Sequence, residues 1–353
     1  MKKQIIFVLL LFLVVFLSNS YSQNQNNSIQ TQELTKLFRS ENILDIKLSY
    51  LNKDIKKNTN DTTYLKAYIS YKTNDGEWKS FKVELRRRGN FRRKNCYFPP
   101  IKMKINKSDR KGTIFKDNKK LKLVMPCGSS RINNDYIIKE YMAYKLYEKI
   151  SPYNYKTRLL EIDFTENKGK KIKNYTLKGI FIEDIKKVAD RHNGKVLKKN
   201  MHPLNQDDLE SVRNAFFQFL IGNTDFSTSA LHNQKLLYVD GKMIPVPYDF
   251  DMSGLVNTNY AHVASVNNNP LPINSVTDRL YRGFKRDPKI IQQVRKEFQD
   301  NKPDLINIVD ELKPYFDNPN SFYEAKNFIL EFFVILNNDS RFQRDIISRL
   351  RTK

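Results

Sequence analysis

Four histidines, two cysteines and one tryptophan are spread over 353 residues. None of His192, His202, His232 and His262 has a partner at the spacing of a helix-borne zinc pair, which argues against a zinc-type hydrolase. Cys96 and Cys127 are too few for a disulfide-built scaffold and lack zinc-site spacing. In an exported chain they can form one disulfide or remain buried thiols. No glycine-rich G-x-G-x-x-G loop occurs, so a phosphate cradle of that kind is excluded, and no internal repeat is visible. Acidic residues are the minority charge, 38 Asp and Glu against 62 Lys and Arg, for a net charge of +24. The lysines are dispersed among Asn, Ile and Tyr, the mixture an AT-rich bacterial genome encodes, and no nucleic-acid partner is expected. Hydrophobic content of 40% and aromatic content of 12% indicate a globular chain, not a disordered one.

The one long apolar run is at the N-terminus. Residues 4–17 are apolar behind Lys2 and Lys3, and small residues close the segment at Ser20 and Ser22. That is the layout of a signal peptide, residues 1–22, cleaved after Ser22. No cysteine stands at that point to carry a lipid anchor. The mature chain is therefore expected in the periplasm or secreted medium, as a monomer. Residues 23–40 are polar and read as a flexible lead.

From Leu44 the pattern turns to strands. Thr62–Lys72 is rich in β-branched and aromatic residues, Asn74-Asp75-Gly76 is a hairpin turn, and Trp78–Leu85 is the returning strand. Tyr97–Ile105 follows, with Ile101, Met103 and Ile105 on one face and Lys102 and Lys104 on the other. Between these strands Arg86, Arg87, Arg88, Arg92 and Arg93 surround Gly89. Guanidinium forks at that density suit phosphate oxygens or an anionic surface. Asp135–Ile150 carries a helical stripe of Ile138, Met142, Leu146 and Ile150, with Glu140 early in it. Thr157–Phe164 and Tyr175–Glu183 are expected to form a second sheet. Helices are expected at Asp207–Ile221, Thr277–Gly283, Pro288–Asp300, Pro303–Leu312, Ser321–Asn337 and Ser340–Arg351. Strands followed by helices predict an α+β chain with a β-rich N-terminal lobe and hinge over 41–200 and a helical C-terminal lobe over 201–353.

The chemistry concentrates in Phe219–Leu255. A polar loop holds Asp225, His232 and Asn233; a hairpin turning at Asp240-Gly241 then delivers Asp249 and Asp251. Carboxylates and an Asn gathered this way suit divalent-cation chemistry on a phosphate. Phosphoryl transfer needs a carboxylate to orient the acceptor, an Asn and an Asp for Mg²⁺ or Mn²⁺, and a lysine held by a glutamate on the nucleotide phosphates. Asp225 fits the first role, Asn233 and Asp249 the second, with Asp251 as a further acid. Lys102 or Lys104 fits the third, with Glu140 as the helix partner.

Several segments resemble the CotH-type family of spore-coat and secreted kinases. Arg88-Gly89-Asn90, with Phe98-Pro99 and a lysine-bearing strand after it, is similar to that family's RGN loop. Gly179-Ile-Phe-Ile-Glu183 is similar to its strand leading to the hinge. Asn223-Thr-Asp225, His232-Asn233 and Pro247-Tyr-Asp249-Phe-Asp251 resemble its catalytic and metal loops, and also those of HipA-type kinases. The similarity spans roughly Arg86 to Gly254 through short motifs. It implies a two-lobed protein-kinase-like fold with one helix in the β-rich lobe, ATP and Mg²⁺ or Mn²⁺, and transfer to a protein or glycan acceptor. By position it makes Asp225 the catalytic residue, Asn233, Asp249 and Asp251 the metal group, and Arg88, Lys102, Lys104, Glu140 and Glu183 the nucleotide group. It favours Lys104, whereas spacing alone leaves Lys102, Lys104 and Lys122 open. Asn233 lies eight positions after Asp225, where the common kinase loop has five, so the loop must bulge. The alternative expectation is a kinase-fold protein without catalysis that binds an anionic surface, a glycan or a protein partner.

Overall fold

Strand-forming sequence in the first half closes on itself. In the computed structural model, which describes residues 33–352, seven strands form a closed mixed barrel in the order β1-β2-β3-β4-β5-β7-β6. They are β1 (Leu44–Ser49), β2 (Leu65–Lys72), β3 (Trp78–Arg87), β4 (Ile101–Lys104), β5 (Lys120–Val124), β6 (Thr157–Asn167) and β7 (Ile172–Ile182). Neighbours are antiparallel except β1 and β6, which pair in parallel from Leu44 opposite Leu160 to Ser49 opposite Thr165. That pairing removes the last free edge. Alternation sends Leu44, Ile46 and Leu48 inward and Lys47 and Ser49 outward. Inward residues such as Ile69, Phe81, Leu85, Met103, Leu123 and Ile162 fill the barrel, so it is a packed core rather than a channel. Gly179 on β7 is required by space: a Cβ there would come within 2.5 Å of Ile162 Cδ1 and 3.1 Å of the Val124 carbonyl.

The closed barrel overturns the expected two-lobed kinase-like architecture. Thr157–Phe164 and Tyr175–Glu183 do not make a second sheet; they are staves of the same barrel. The expected single helix of the N-terminal half is one of several, among them Asn52–Asn58, Phe91–Asn95 and Ile132–Ile150. Eleven α-helices are present among the described residues, which form one compact unit. Thr277–Gly283 is not a helix, and the expected last helix shortens to Asp339–Asp345 followed by a single 3-10 turn. The expected signal peptide lies outside the described residues. Among those described, no helix is long and apolar enough to cross a membrane.

A second core lies outside the barrel. The outward residues Val124, Ile180 and Ile182 join the long helix Ile132–Ile150 and the C-terminal helices in it. A small sheet of β8 (Lys195–Leu197), β9 (Gln234–Val239) and β10 (Lys242–Pro247) carries the acidic stretch against this core. Cys96 and Cys127 form a disulfide that ties the β3–β4 connection to the segment after β5.

Candidate functional site

The acidic stretch is held closed at its two ends. Helix Asp208–Leu220, capped by the Asp207 carboxylate on the Glu210 amide, stops at Gly222, whose φ of +59° is left-handed. The amides of Gly254 and Leu255 donate to the carbonyls of Gly222 and Ile221, each at 3.0 Å. The chain from Asn223 to Ser253 thus leaves and returns at one place.

Beneath the loop runs a chain of five primary amides, Gln206, Gln234, Asn214, Gln218 and Asn223, each at most 3% exposed. Each accepts a hydrogen bond from the side-chain NH₂ of the next over 2.8–3.3 Å. Asn223 Oδ1 then accepts from the Asp225 amide at 3.0 Å. Such a connected buried network fixes one geometry, since each broken link strands a desolvated group. From the other side the Arg282 guanidinium donates to the carbonyls of Thr224 and Phe226, which flank Asp225.

Asp225 is therefore rigidly placed. His232 Nε2 lies 3.2 Å from its Oδ1, and the Asn233 side-chain amide donates to its Oδ2 at 3.0 Å. The His232 imidazole is held above its ordinary range, first by its bond to the Asp225 carboxylate and despite partial burial. Hairpin β9–β10 turns at Asp240 and Gly241, both left-handed, as the sequence predicts. It brings Tyr248 back onto the Asn233 carbonyl at 3.0 Å. Asp249 follows with φ +67°, its amide donating to the Tyr144 hydroxyl at 3.0 Å. Tyr144 stands one helical turn after Glu140, so the long helix reaches the site twice.

Opposite the acids stands the β3–β4 connection. Arg88 lies 3.9 Å from Asp249. Arg92 is buried, 3.6 Å from Glu140 and 3.7 Å from Asp251, and also donates to the Met125 carbonyl. Burial works against its charge, but Tyr260, Asp251 and Glu140 around it keep the guanidinium firmly protonated. Burial raises the Glu140 and Asp251 carboxyls above their usual range, with repulsion from Asp251 adding to it at Glu140 and from Asp249 at Asp251. Tyr260 donates to Asp251 Oδ2 at 3.0 Å. Arg88, Arg92, Asp225, Asn233, Asp249 and Asp251 line one cleft of about 360 Å³, within the range of small-ligand sites.

Other expected site residues lie elsewhere. Lys104 is on the outside of the barrel, bonded to Glu84 at 2.8 Å. Lys102 stands beside Lys122 in the β4–β5 ladder, one strand further from the helical half. Of these three lysines, Lys122 comes up behind the cleft, 4.3 Å from the ring of the cleft-lining Tyr248 and 4.7 Å from the Tyr155 ring. Burial and then the Arg88 charge push its amine down to about 7. Glu183 is buried and committed to Arg191, both oxygens at 2.6 Å, and to the Lys156 amide. Arg86 is drawn to Asp61 at 2.8 Å, away from the cleft.

Sequence reasoning did not single out Tyr144, Tyr260, Arg282 or the amide chain. Two of these had a readable signal. Tyr144 follows Glu140 by four residues, and Gln218 follows Asn214 by four, so each pair shares a helix face. Tyr260 and Arg282 reach the site through irregular chain, which carries no such period. Among the described residues, no group of three or more His, Cys, Asp or Glu side chains is placed to hold a metal ion. No protein family and no curated protein compared with the chain matches it.

Proposed function

We propose that this protein is an exported phosphotransferase that uses ATP with Mg²⁺ or Mn²⁺ and a protein or glycan acceptor. The observation that carries the reading is the meeting in one cleft of Asp225, Asn233 and Asp249 with Arg88 and Arg92. Acid and Asn oxygens facing guanidinium groups are the donor set that phosphoryl transfer requires. For a hard, oxygen-seeking ion, Asp249 and Asn233 are the fitting pair. The Asn233 NH₂ is used on Asp225, which leaves its Oδ1 for an ion. Asp251 is engaged by Arg92 and Tyr260, so its part is to orient Arg92. When bound, the ion would offset phosphate charge. Lys122, partly neutral at physiological pH, would gain a proton beside the incoming phosphate. Asp225 would take the acceptor's proton, with His232 setting its charge.

Titration calorimetry with ATP and either metal is expected to show saturable binding. Asp249→Asn keeps the left-handed backbone accessible, and is expected to retain the fold while cutting γ-phosphate transfer by at least about 100-fold. No ATP binding with either metal, or undiminished transfer in Asp249→Asn, sinks the reading.

One observation favours a second reading, a non-catalytic anion binder. Arg92 is already paired with two carboxylates, and among the described residues no three acids are grouped for a metal. Metal-independent phosphate or ATP binding, without turnover, is the result that selects it.

A further inference from the structure

At another part of the barrel, about 480 Å³ of open space lies between helix Asn52–Asn58, Tyr97 and the end of β6. Its floor is Glu166, 1% exposed. The Glu166 carboxylate accepts from the Asn52 amide at 3.0 Å and the Tyr97 hydroxyl at 2.5 Å, and pairs with Lys168 at 3.2 Å. These bonds, working against its burial, hold it below the usual carboxylate range, so it is ionised. Lys56 and Lys168 flank the Tyr97 ring at 5.5 and 5.6 Å, and Lys53 completes a rim of three ammonium groups. Asn52 lines the same space. It is only 3% exposed, yet neither Oδ1 nor Nδ2 of its side chain has a partner. An unsatisfied buried amide costs about 1–3 kcal/mol, which a ligand with paired donor and acceptor would recover.

We propose that this pocket binds an anionic sugar unit. Its charge would be a carboxylate or phosphate on the lysine rim, its hydroxyls would meet Asn52 and Glu166, and its ring would lie on Tyr97. Three ammonium groups against one carboxylate leave the pocket positive, which selects an anion. A hydroxyl both donates and accepts, which matches the two free atoms of Asn52. The aromatic ring offers an apolar face with a polar edge, as a sugar ring requires. The disulfide at Cys96 fixes the backbone next to Tyr97, whose amide donates to the Cys127 carbonyl at 2.8 Å. The Tyr97 wall of the pocket is thus fixed before any ligand arrives, whereas Asn52, whose side-chain polar atoms are buried, turns to meet one. It uses none of the residues of the acidic cleft, so it stands whether or not phosphate transfer occurs there.

The test is calorimetric titration of the full mature chain with glucuronate, glucose 6-phosphate, glucose and inorganic phosphate. At least one of the two anionic sugars is expected to bind about tenfold or more tighter than both glucose and phosphate. The tighter of the two identifies the anionic group. Lys53→Glu with Lys56→Glu reverses two rim charges that are not paired with Glu166 and is expected to abolish binding while leaving the circular dichroism unchanged. Asn52→Ala is expected to weaken it about tenfold. Glucose binding as tightly as its anionic forms overturns the proposal. So does phosphate binding as tightly as the sugars, or binding that survives the double charge reversal.

Discussion

The side-chain amide of Asn233 donates both to the backbone carbonyl of Asp225, at 2.7 Å, and to its carboxylate, at 3.0 Å. Eight positions separate the two residues, and the surplus chain is taken up locally. Ser227 and His232 pair as an isolated antiparallel bridge, and Leu231 and Asn233 adopt left-handed backbone at φ +51° and +52°. Asn233 tolerates that conformation because its short polar side chain bonds locally. Asn233→Gly keeps the backbone and removes the clamp. It is expected to cost no more than about 1 kcal/mol in denaturation and to lower γ-phosphate transfer by about tenfold or more. Asn233→Val, which the left-handed φ rejects, is expected to lose more stability than Asn233→Gly.

Among the described residues, Arg92 is the cation that pairs with the buried carboxyls of both Glu140 and Asp251. Arg92→Met leaves two buried acids without compensation, and urea unfolding should show a loss of about 3–5 kcal/mol. Adding Glu140→Gln and Asp251→Asn should recover much of that loss. An Arg92→Met variant as stable as the parent would remove the charge argument.

His232 has its pKa raised above its ordinary 6.5 by Asp225. A raised histidine contributes stability that is present below about pH 6.5 and lost as pH rises through the folded value. Asp225→Asn should return the His232 titration, followed by its imidazole proton resonance, towards 6.5. If Asp225 takes the acceptor's proton, transfer should rise as His232 loses its charge, and His232→Gln should flatten that limb.

Lys122, with its amine near 7, should take up a proton when a nucleotide phosphate arrives. Calorimetry of ATP binding near pH 8 in buffers of different ionisation enthalpy should therefore show net proton uptake, absent in Lys122→Met. The depressed pKa has a second consequence. The unfolded chain binds this proton more readily than the folded one, so Lys122 costs stability that is regained as pH rises from about 7 towards 10.5. Lys122→Met should consequently not lower the melting temperature at neutral pH.

The Cys96–Cys127 bridge spans 31 positions. Chain-entropy arguments give a loop of that length about 3–4 kcal/mol. Reduction with denaturant titration should show a loss of that order, and Cys96→Ala with Cys127→Ala the same. Loss of anionic-sugar binding on reduction would follow from release of Tyr97.

Local pattern determined a good deal of this protein. Period-two alternation placed most of the barrel strands, and the stripe Ile138, Met142, Leu146 and Ile150 placed the long helix. The Asp240-Gly241 turn placed the hairpin that brings Asp249 into the cleft with Asp225 and Asn233. Tertiary structure alone decided the closure of the barrel, because alternation says which face a side chain takes but not which strand lies beside it. Leu44–Ser49 meets Leu160–Thr165 across more than a hundred residues, and no local signal records that pairing. The same holds for the charges. Lys102, Lys104 and Lys122 look alike in sequence, yet one faces Glu84 and another the cleft-lining Tyr248. Of the five arginines at the end of β3 and in the β3–β4 connection, Arg88 and Arg92 line the cleft, and Arg92 is buried between two acids. A charge's role is set by what the fold places within a few ångströms of it and by how much water is removed, and both are properties of the closed chain.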